Sequence, residues 1–301
     1  MKIAISGSSG MIGSHLLKTL PQQGHQVCRI VRFKTQESDA GDMDWDILKE
    51  TLDLKSQEGI DVVIHLGGVN VADHRWTSQY KQLIFDSRVK GTHSLVKAIL
   101  KLKNRPKVFL SASAVGYYGN HPSDVTLDED SKRGEGFLAR VCYEWEGATN
   151  LLFGLGIRVI FLRFGMVLGK EKGALGKMLP IFRLGLGGPI ADGTQVISWL
   201  SLKEIPLIIH HLLLHDSLHG AVNMVSSNPV TNLKFTKILG AVIHRPTIFP
   251  VPKLAIKILF GEMGESLLWG GAKVFPKRLL NSGYQFKYAD LKLTLEDILR
   301  S

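Results

Sequence analysis

The sequence predicts an α/β fold in which a doubly wound, mainly parallel sheet is followed by a smaller, mostly helical C-terminal unit. Short apolar runs alternate with longer helical patterns in the first half of the 301 residues, as in the strand–helix units of a parallel sheet. The runs are apolar at nearly every position, which is expected of strands that helices cover on both faces. Glycine and proline become frequent after about residue 170, where the alternation ends.

The first half contains the predicted strands and helices of the sheet unit. Strands are predicted at Lys2–Ser6, Gln26–Val31, Asp61–Leu66, Lys107–Ser111 and Arg158–Leu162, where short runs of apolar and β-branched residues occur. Helices are predicted over Met11–Leu20, over residues 77–102 and over residues 137–153, because apolar residues recur there at helical spacing. Pro106 ends the long second helix.

The second half divides into two parts. A segment rich in loops is predicted at about residues 170–200, and a mostly helical piece follows from about residue 226. The predicted domains are therefore residues 1–225, which contain the sheet, and residues 226–301, which form the small C-terminal domain.

The charge of the chain is concentrated in its second half. Residues 1–150 carry 19 basic and 18 acidic side chains, whereas residues 151–301 carry 18 and 9, which leaves net charges of +1 and +9. This excess fits an anionic substrate or surface, and it equally fits a basic face exposed to solvent. No zinc knuckle, aromatic-interleaved basic stretch or arginine cluster occurs, and no apolar run is long enough to span a bilayer. We therefore expect neither a nucleic-acid nor a membrane partner.

The cysteine content and the first residues bear on the compartment. Cys28 and Cys142 are too few for a disulfide framework or a four-cysteine zinc site, so two buried reduced thiols are expected. The chain begins with a predicted core strand rather than a secretory signal. A cytoplasmic protein is expected, and no group of residues with metal-ligand spacing is found.

A glycine motif directly follows the first strand and opens the first helix. It reads Gly7-Ser8-Ser9-Gly10-Met11-Ile12-Gly13, with a tight turn expected at Gly7, close approach of a ligand at Gly10 and close helix–strand packing at Gly13. The free N–H groups of the helix then face a pyrophosphate. This pattern predicts a dinucleotide site, with Gly7, Ser9, Gly10, Met11, Ile12 and Gly13 as cofactor-binding residues.

The end of the second strand indicates which nucleotide is bound. NAD-binding proteins usually carry an acidic residue there, which accepts hydrogen bonds from the ribose 2′-hydroxyl. This chain instead reads Arg32-Phe33-Lys34. The guanidinium of Arg32, with help from Lys34, would pair with a 2′-phosphate, or Arg32 would stack on the adenine. An exposed arginine without a role is the remaining interpretation, and we expect NADP(H) rather than NAD(H).

Two further segments end predicted strands at the same edge of the sheet. His65-Leu66-Gly67-Gly68 follows the third strand, and its small residues would let the backbone pass near the adenosine. His65 is either part of that site or a packed histidine. Ser113 and Tyr117 lie in the segment after the fourth strand, where Ser113 would bond a substrate oxygen or the nicotinamide ribose.

Several short motifs spread over the chain form a recognisable set. They are Gly7–Gly13, Asp73–Thr77 with Ser87-Arg88, Ser113–Gly119, Trp145-Glu146, Leu162–Gly169, Arg183–Pro189, Asn228–Asn232, Pro250–Pro252 and Phe275–Leu280. Together they resemble the extended or atypical branch of the short-chain dehydrogenase/reductase superfamily. The closer resemblance is to its epimerase-like subfamily, described as NADP-dependent nucleoside-diphosphate-sugar epimerases with a C-terminal domain of unknown function.

The resemblance covers essentially the whole chain and carries expectations about fold and cofactor. It implies a Rossmann core that binds NADP, with the C-terminal segment folded beside it on the substrate side. It also implies that Arg32, His65, Leu66, Arg88 and Val167 fall where members of the family contact NADP.

The catalytic residues typical of the superfamily are missing from the helix that is expected to carry them. A Tyr-x-x-x-Lys pair on that helix normally transfers the proton, with a serine nearby. Here Phe137 and Val141 would occupy the two positions. Ser113 and Tyr117 are the candidate catalytic residues that remain, although Tyr117 equally fits an aromatic wall of the crevice. Glu146 is expected to pair or pack rather than to donate protons.

Two functions remain open on the sequence. One is an NADP(H)-dependent oxidoreductase or epimerase that acts on a small molecule, either anionic or neutral, with an unconventional proton donor, since hydride transfer needs the cofactor and correct positioning. The other is a non-catalytic NADP(H)-binding sensor or regulatory protein. The substrate, the direction of the reaction and the oligomeric state are not predicted.

Overall fold

The computed structural model describes residues 1–32, 41–53 and 59–300, and its centre is an eight-stranded sheet. The strands of the chain are β1 (Lys2–Ser6), β2 (Gln26–Val31), β3 (Met43–Asp46), β4 (Thr51–Asp53), β5 (Val62–His65), β6 (Val108–Ala114), β7 (Thr126–Leu127), β8 (Arg158–Phe164), β9 (Met166–Leu168), β10 (Val196–Ile197), β11 (Trp199–Ser201), β12 (Gly220–Met224), β13 (Val230–Thr231) and β14 (Lys273–Val274).

The helices cover both faces of this sheet and form most of the C-terminal unit. They are α1 (Met11–Thr19), α2 (Ser78–Leu100), α3 (Phe137–Gly147), α4 (Gly173–Arg183), α5 (Ile205–Leu214), α6 (Asn232–Val242), α7 (Lys253–Phe260), the single turn α8 (Glu262–Gly264), α9 (Lys277–Asn281) and α10 (Leu291–Arg300). The predicted α/β class with a helical C-terminal region is confirmed. In the part of the chain that is described, no helix combines the length and the apolar character needed to cross a membrane.

The strand order places the carboxyl ends of β1 and β5 at the centre of one sheet edge. The order is β12-β8-β6-β5-β1-β2-β3-β4, and every pair is parallel except β3 with β4. The chain runs outward from β1 through β2 in one direction and from β5 through β6 in the other. Ligands of open parallel sheets bind at such a reversal, outside the carboxyl ends of the strands.

Three apolar clusters hold the layers together. One packs α1 and α5 on one face of the sheet, and a second packs α2 on the other face. The third joins α4 and Trp199 to α6 and α10, through Phe235, Leu239 and Leu295. The last strand of the sheet, β12, ends at Met224, close to the predicted boundary between residues 225 and 226. The third cluster, however, contains residues from both sides of that boundary. The division into two domains therefore stays a prediction.

The strands and helices of the first half lie close to their predicted bounds, and the later segments differ more. The helix predicted over residues 137–153 ends at Gly147, because a 3₁₀ turn, Asn150–Leu152, replaces its last part. The segment predicted to be rich in loops also contains α4, which buries Leu175, Leu179 and Phe182 on one side. The strands β3, β4 and β12 were not predicted.

Candidate functional site

The glycine motif forms the turn between β1 and α1, at the reversal of the strand order. Gly7 has a φ of +70°, and a Cβ there would lie 2.7 Å from the carbonyl carbon of Leu66, at the end of the adjacent strand. A Cβ at Gly13 would lie 2.4 Å from the carbonyl oxygen of Gly7. Both positions require glycine because the backbones of β1, β5 and α1 meet there.

The N-terminus of α1 is open to an anion. Its N-cap is Gly10, no side chain caps the helix, and its first turn contains no acidic residue. The unsatisfied N–H groups and the positive end of the helix dipole therefore face the space outside the sheet edge. Ser9 and Gly10 are exposed, while Met11 and Ile12 are half-buried.

The side chain of Met11 joins the glycine motif to the segment after β8. Its Sδ lies 3.1 Å from the position that a Cβ at Gly169 or at Gly173 would take. Val167 lies on β9, is 9% exposed and belongs to the same apolar cluster that Met11 packs against. The structure thus brings the predicted residues Met11 and Val167 to one side of the crevice.

Arg32 lies at the predicted end of β2 and is exposed there. Its guanidinium is close enough to His65 to lower the pKa of that imidazole, as a smaller contribution after burial. Both residues therefore border the same region beside β1. Lys34, the second cation predicted for this site, lies outside the described residues.

His65 is a buried, neutral histidine at the end of β5. Burial and the charge of Arg32 lower the pKa of His65 to about 4. Its Nδ1 lies 2.6 Å from Ser6 Oγ and its Nε2 lies 3.0 Å from Thr92 Oγ1. Trp145 Nε1 donates to Thr92 Oγ1 at 2.9 Å, which makes a continuous chain from α3 through α2 to β1. His65 fixes the strand ends beneath the site rather than facing open solvent.

Leu66, Gly67 and Arg88 follow around the crevice. The amide of Leu66 donates to the carbonyl of Ser6, and a Cβ at Gly67 would lie 3.0 Å from His65 Cε1. The guanidinium carbon of Arg88 lies 5.1 Å from the ring centroid of Trp145, and Nη1 donates to the carbonyl of Ile84 at 3.2 Å. Burial lowers the pKa of Arg88. No carboxylate pairs with it within the described ranges, which leaves a half-buried cation available for an anion.

Ser113 is part of a polar row that crosses three neighbouring strands. Ser113 on β6 is in register with Arg163 on β8, which is in register with Asn223 on β12. We call these three side chains the buried polar row, since none is more than 4% exposed. Ser113 Oγ donates to Glu146 Oε1 of α3 at 2.7 Å, so its proton is engaged and its oxygen lone pairs remain.

Glu146 and Arg163 form a two-pronged ion pair within this row. Arg163 Nε and Nη2 donate to the two carboxylate oxygens of Glu146, each at 2.8 Å. Burial acts to lower the pKa of Arg163, but the hydrogen bonds and charge of Glu146 outweigh it and raise that pKa. Arg163 therefore has a protein counter-ion, unlike Arg88.

Tyr117 and Tyr118 surround the remaining side of Arg163. The guanidinium carbon of Arg163 lies 3.5 Å from the ring centroid of Tyr117, and Nη1 donates to Tyr118 Oη at 3.0 Å. Tyr118 Oη donates in turn to Asn223 Oδ1 at 2.7 Å. Burial raises the pKa of Tyr118 to about 12. Tyr118 is thus locked in the core, while Tyr117 is half-buried with its ring held by a cation.

The helix α3 presents apolar side chains where the superfamily carries its tyrosine and lysine. Phe137 packs edge-on against Trp76, with the ring centroids 5.1 Å apart. Val141 is 2% exposed in the same apolar cluster, beside Ile84 and Met263. Neither side chain has a proton to exchange at neutral pH.

A second cavity lies beside the segment that follows Tyr118. Its volume is about 570 Å³, and its walls come from residues 120–123, from 191–195 and from Lys253 and the 265–271 segment. The ring of His121 in this wall bonds the carbonyl of Tyr118 through Nε2 at 2.9 Å. The cavity carries the ammonium of Lys253 and the carboxylates of Asp192 and Glu265, so charges of both signs line it.

Sequence reasoning missed the parts of this site that depend on strand register. Asn223 lies on the unpredicted strand β12, and the pairing of Glu146 with Arg163 joins residues from different elements. The only local signals were an arginine inside an apolar strand and a glutamate inside an apolar helix.

Comparison with known proteins identifies the class to which this fold and site belong. Residues 3–224 match the NAD dependent epimerase/dehydratase family, and residues 251–298 match a domain of unknown function, DUF1731. The chain belongs to the NAD dependent epimerase/dehydratase family, and the predicted resemblance is confirmed.

Individual relatives match over nearly the whole chain. The chain is 40% identical to the Epimerase family protein ML0860 of Mycobacterium leprae over 286 residues, which cover 95% of this chain and 92% of that protein. It is similar to the crystal structure of the human epimerase family protein SDR39U1 with NADPH, with a TM-score of 0.91, 32% identity and full coverage of both chains. A nucleoside-diphosphate sugar epimerase from Corynebacterium glutamicum matches with a TM-score of 0.78 and 31% identity, over 99% of this chain and 58% of that one.

Proposed function

We propose that this protein binds NADP(H) in the crevice between the carboxyl ends of β1 and β5. The observation that carries the proposal is the glycine turn, where Gly7 and Gly13 leave no room for a side chain and α1 begins without a cap. Two cations, Arg32 and Arg88, border the same crevice. The human relative crystallised with NADPH supports the choice of nucleotide.

Different residues of the crevice would contact different parts of the cofactor. The glycine turn and the N-terminus of α1, with Ser9, Gly10, Met11 and Ile12, would hold the pyrophosphate, and Arg32 would hold the 2′-phosphate. His65, Leu66 and Gly67 would line the adenosine side. Arg88 and Val167 would border the remainder of the dinucleotide, and the bound cofactor supplies or accepts a hydride.

We further propose that the protein is an oxidoreductase or epimerase that acts on a small polar molecule. The second cavity includes His121, which bonds the backbone carbonyl of Tyr118, and it is large enough for a small substrate. The predicted anionic substrate finds limited support there, because Lys253 lines the cavity together with two acidic residues, Asp192 and Glu265. A neutral or zwitterionic substrate fits this lining better.

Tyr117 is the proposed proton donor or acceptor in place of the missing pair. Its ring is held face-on against the guanidinium of Arg163, and its hydroxyl is the group that would exchange a proton with a substrate oxygen. Ser113 would accept a hydrogen bond from a substrate hydroxyl, because its lone pairs stay free while its proton is held by Glu146. Glu146 and Arg163 would act as positioning residues for both.

One observation favours a non-catalytic NADP(H)-binding protein as the second candidate. Phe137 and Val141 fill the usual tyrosine and lysine positions with packed apolar groups. Such a protein would bind the cofactor as a sensor or regulatory partner without turnover.

Binding of the two nucleotides tests the cofactor proposal. Arg32→Ala should weaken NADPH binding by about 10- to 100-fold, as expected for the loss of a charge-assisted contact, and leave NADH binding nearly unchanged. The measurement is fluorescence titration of purified protein with each nucleotide. Arg105→Ala is the matched control, because Arg105 is an exposed cation before β6, at the opposite edge of the sheet. Equal loss of both nucleotides in Arg32→Ala would refute the 2′-phosphate role.

A turnover assay distinguishes the enzyme from the non-catalytic NADP(H)-binding protein. NADPH absorbance is followed with a library of small carbonyl compounds, and Tyr117→Phe is compared with the unaltered protein on every compound that reacts. If a compound causes NADPH oxidation by the unaltered protein and Tyr117→Phe abolishes it, the protein is an enzyme that uses Tyr117. Tight NADPH binding with neither oxidation of NADPH nor an epimerised product for any compound supports the sensor, and absence of binding overturns both.

A further inference from the structure

One surface of the C-terminal unit exposes an unusual number of large apolar side chains. It consists of residues 181–190 and 244–261, and we call it the apolar–basic face. In α7, which runs through it, only Ile256 is buried. The exposed apolar side chains of the face are Ile181, Leu184, Leu186, Ile248, Phe249, Leu254, Ile258, Leu259 and Phe260. Soluble monomers rarely expose so large an apolar set in one place.

Hydrogen bonds join the two segments into one surface. Arg245 Nε donates to the carbonyl of Arg183 at 2.8 Å, which places the loop before α7 on the end of α4. Val251 donates to Pro189 at 2.8 Å and accepts from Ala191 at 3.0 Å. The two segments that carry the apolar side chains are therefore adjacent in the structure.

The charges of this face all have one sign. The two segments contain Arg183, Arg245, Lys253 and Lys257 and no aspartate or glutamate. From outside the face, Glu265 lies 3.5 Å from Lys257. Apolar side chains with a rim of cations are the composition of helices that lie in a membrane interface, where the cations meet anionic headgroups.

A second copy of the chain fits this face poorly. A symmetric dimer places the same patch on both partners, so four cations would oppose four cations across an apolar contact. An anionic lipid surface offers the opposite charge together with an apolar layer. Charge complementarity therefore selects the lipid surface as the occupant.

We propose that the apolar–basic face binds the surface of anionic membranes, with α7 lying in the plane of the interface. Leu254 and Ile258, one turn apart on α7, would enter the apolar layer, and the cations would contact the headgroups. The sequence predicted no membrane partner because no segment can span a bilayer, and a surface-bound helix does not need to span. This proposal is independent of whether the protein turns over a substrate.

The test is flotation of the purified full-length chain with lipid vesicles. Vesicles of phosphatidylcholine with phosphatidylglycerol are compared with phosphatidylcholine alone, at low and high salt. We expect binding to the anionic vesicles only, and weakening by salt. The double variant Leu254→Gln with Ile258→Gln should bind at least tenfold more weakly, because two apolar side chains leave the interface.

The control variant replaces two equally exposed apolar side chains that lie outside the apolar–basic face. Leu214→Gln with Leu293→Gln alters side chains that are 63% and 65% exposed, against 67% and 63% for Leu254 and Ile258. It should bind vesicles like the unaltered chain. Arg183→Gln should weaken binding by about fivefold, as expected for one surface cation. Circular dichroism and NADPH titration show that each variant is folded.

Every outcome decides the proposal. Binding that the Leu254/Ile258 variant loses and the Leu214/Leu293 variant keeps supports it. Absence of binding to anionic vesicles, or equal binding by both variants, overturns it. If the unaltered chain is a dimer by light scattering and the Leu254/Ile258 variant a monomer, without vesicle binding, the face is a protein interface and the proposal is wrong.

Discussion

The ion pair between Glu146 and Arg163 gives the sharpest test of how the buried polar row is built. The two side chains are 10% and 5% exposed, and two hydrogen bonds of 2.8 Å join them. Glu146→Gln keeps an acceptor for Ser113 but leaves the guanidinium buried without a counter-charge. Arg163→Met leaves the carboxylate buried with one remaining hydrogen bond. Each single change should lower the free energy of unfolding by about 3–5 kcal/mol, the usual cost of breaking a buried pair.

The double variant separates the loss of the pair from the cost of an isolated charge. Glu146→Gln with Arg163→Met removes both charges, so its loss should be well below the sum of the single losses, by about 2 kcal/mol or more. Urea unfolding followed by circular dichroism measures all three values. Additive losses, or single losses below about 1 kcal/mol, would show that the pair is not energetically coupled as the geometry requires.

The remaining predictions concern the strand ends and the glycine turn. The pKa of His65 is lowered from 6.5 to about 4, so the native state favours the neutral ring and loses stability as the pH falls below the unfolded value. Between about pH 7.5 and about pH 4.5, the unaltered chain should lose about 2.5 kcal/mol more unfolding free energy than His65→Gln. Urea unfolding at each pH measures this difference. If both proteins show the same pH dependence, His65 is not neutral in the native state. Gly13→Ala should weaken NADPH binding more than tenfold, because its Cβ would lie 2.4 Å from Gly7 O. Gly91→Ala in α2, where the nearest atom lies at 3.9 Å, should instead leave binding unchanged and add about 0.5–1 kcal/mol of stability. Loss of binding in both variants would point to general helix effects.

The first half of the fold follows from signals that lie within single segments. β1 and β2 occur at their predicted bounds because apolar runs are bounded by glycine or charged residues. The glycine turn was identifiable because a steric requirement at Gly7 and Gly13 leaves only one residue type. These local signals can be recognised without knowing which distant residues pack against them.

The later segments depend on contacts that the local sequence does not contain. α4 carries Gly173, Gly176 and Pro180, which favour a loop, yet its apolar side packs against α6 and α10 and stabilises a helix. β12 is short and includes Asn223, whose polar side chain is explained only by Tyr118 and by the backbone of the C-terminal unit. Tertiary packing outweighs local propensity in both cases.

The candidate site also depends on contacts between segments that are distant in the sequence. Ser113 was identified by its place after a strand, but the engagement of its proton by Glu146 requires the position of α3 over β6. The charge of Arg163 is already balanced by its bidentate contact with Glu146, so this arginine serves the protein itself. Arg88 differs, because the contacts of its guanidinium are an aromatic ring and a carbonyl.

Phe137 and Val141, at the positions predicted for the tyrosine and lysine, belong to one apolar cluster. Val141 is buried among Trp76, Ile84 and Met263, and Phe137 packs in the same cluster. Met263 belongs to the C-terminal region, so that region fills the space over α3 with apolar groups. An ammonium at position 141 would be taken out of water without a partner there, at a cost of several kcal/mol. The apolar cluster and a lysine at position 141 are therefore mutually exclusive, which is why the proposed proton donor is Tyr117, held against Arg163 outside this cluster.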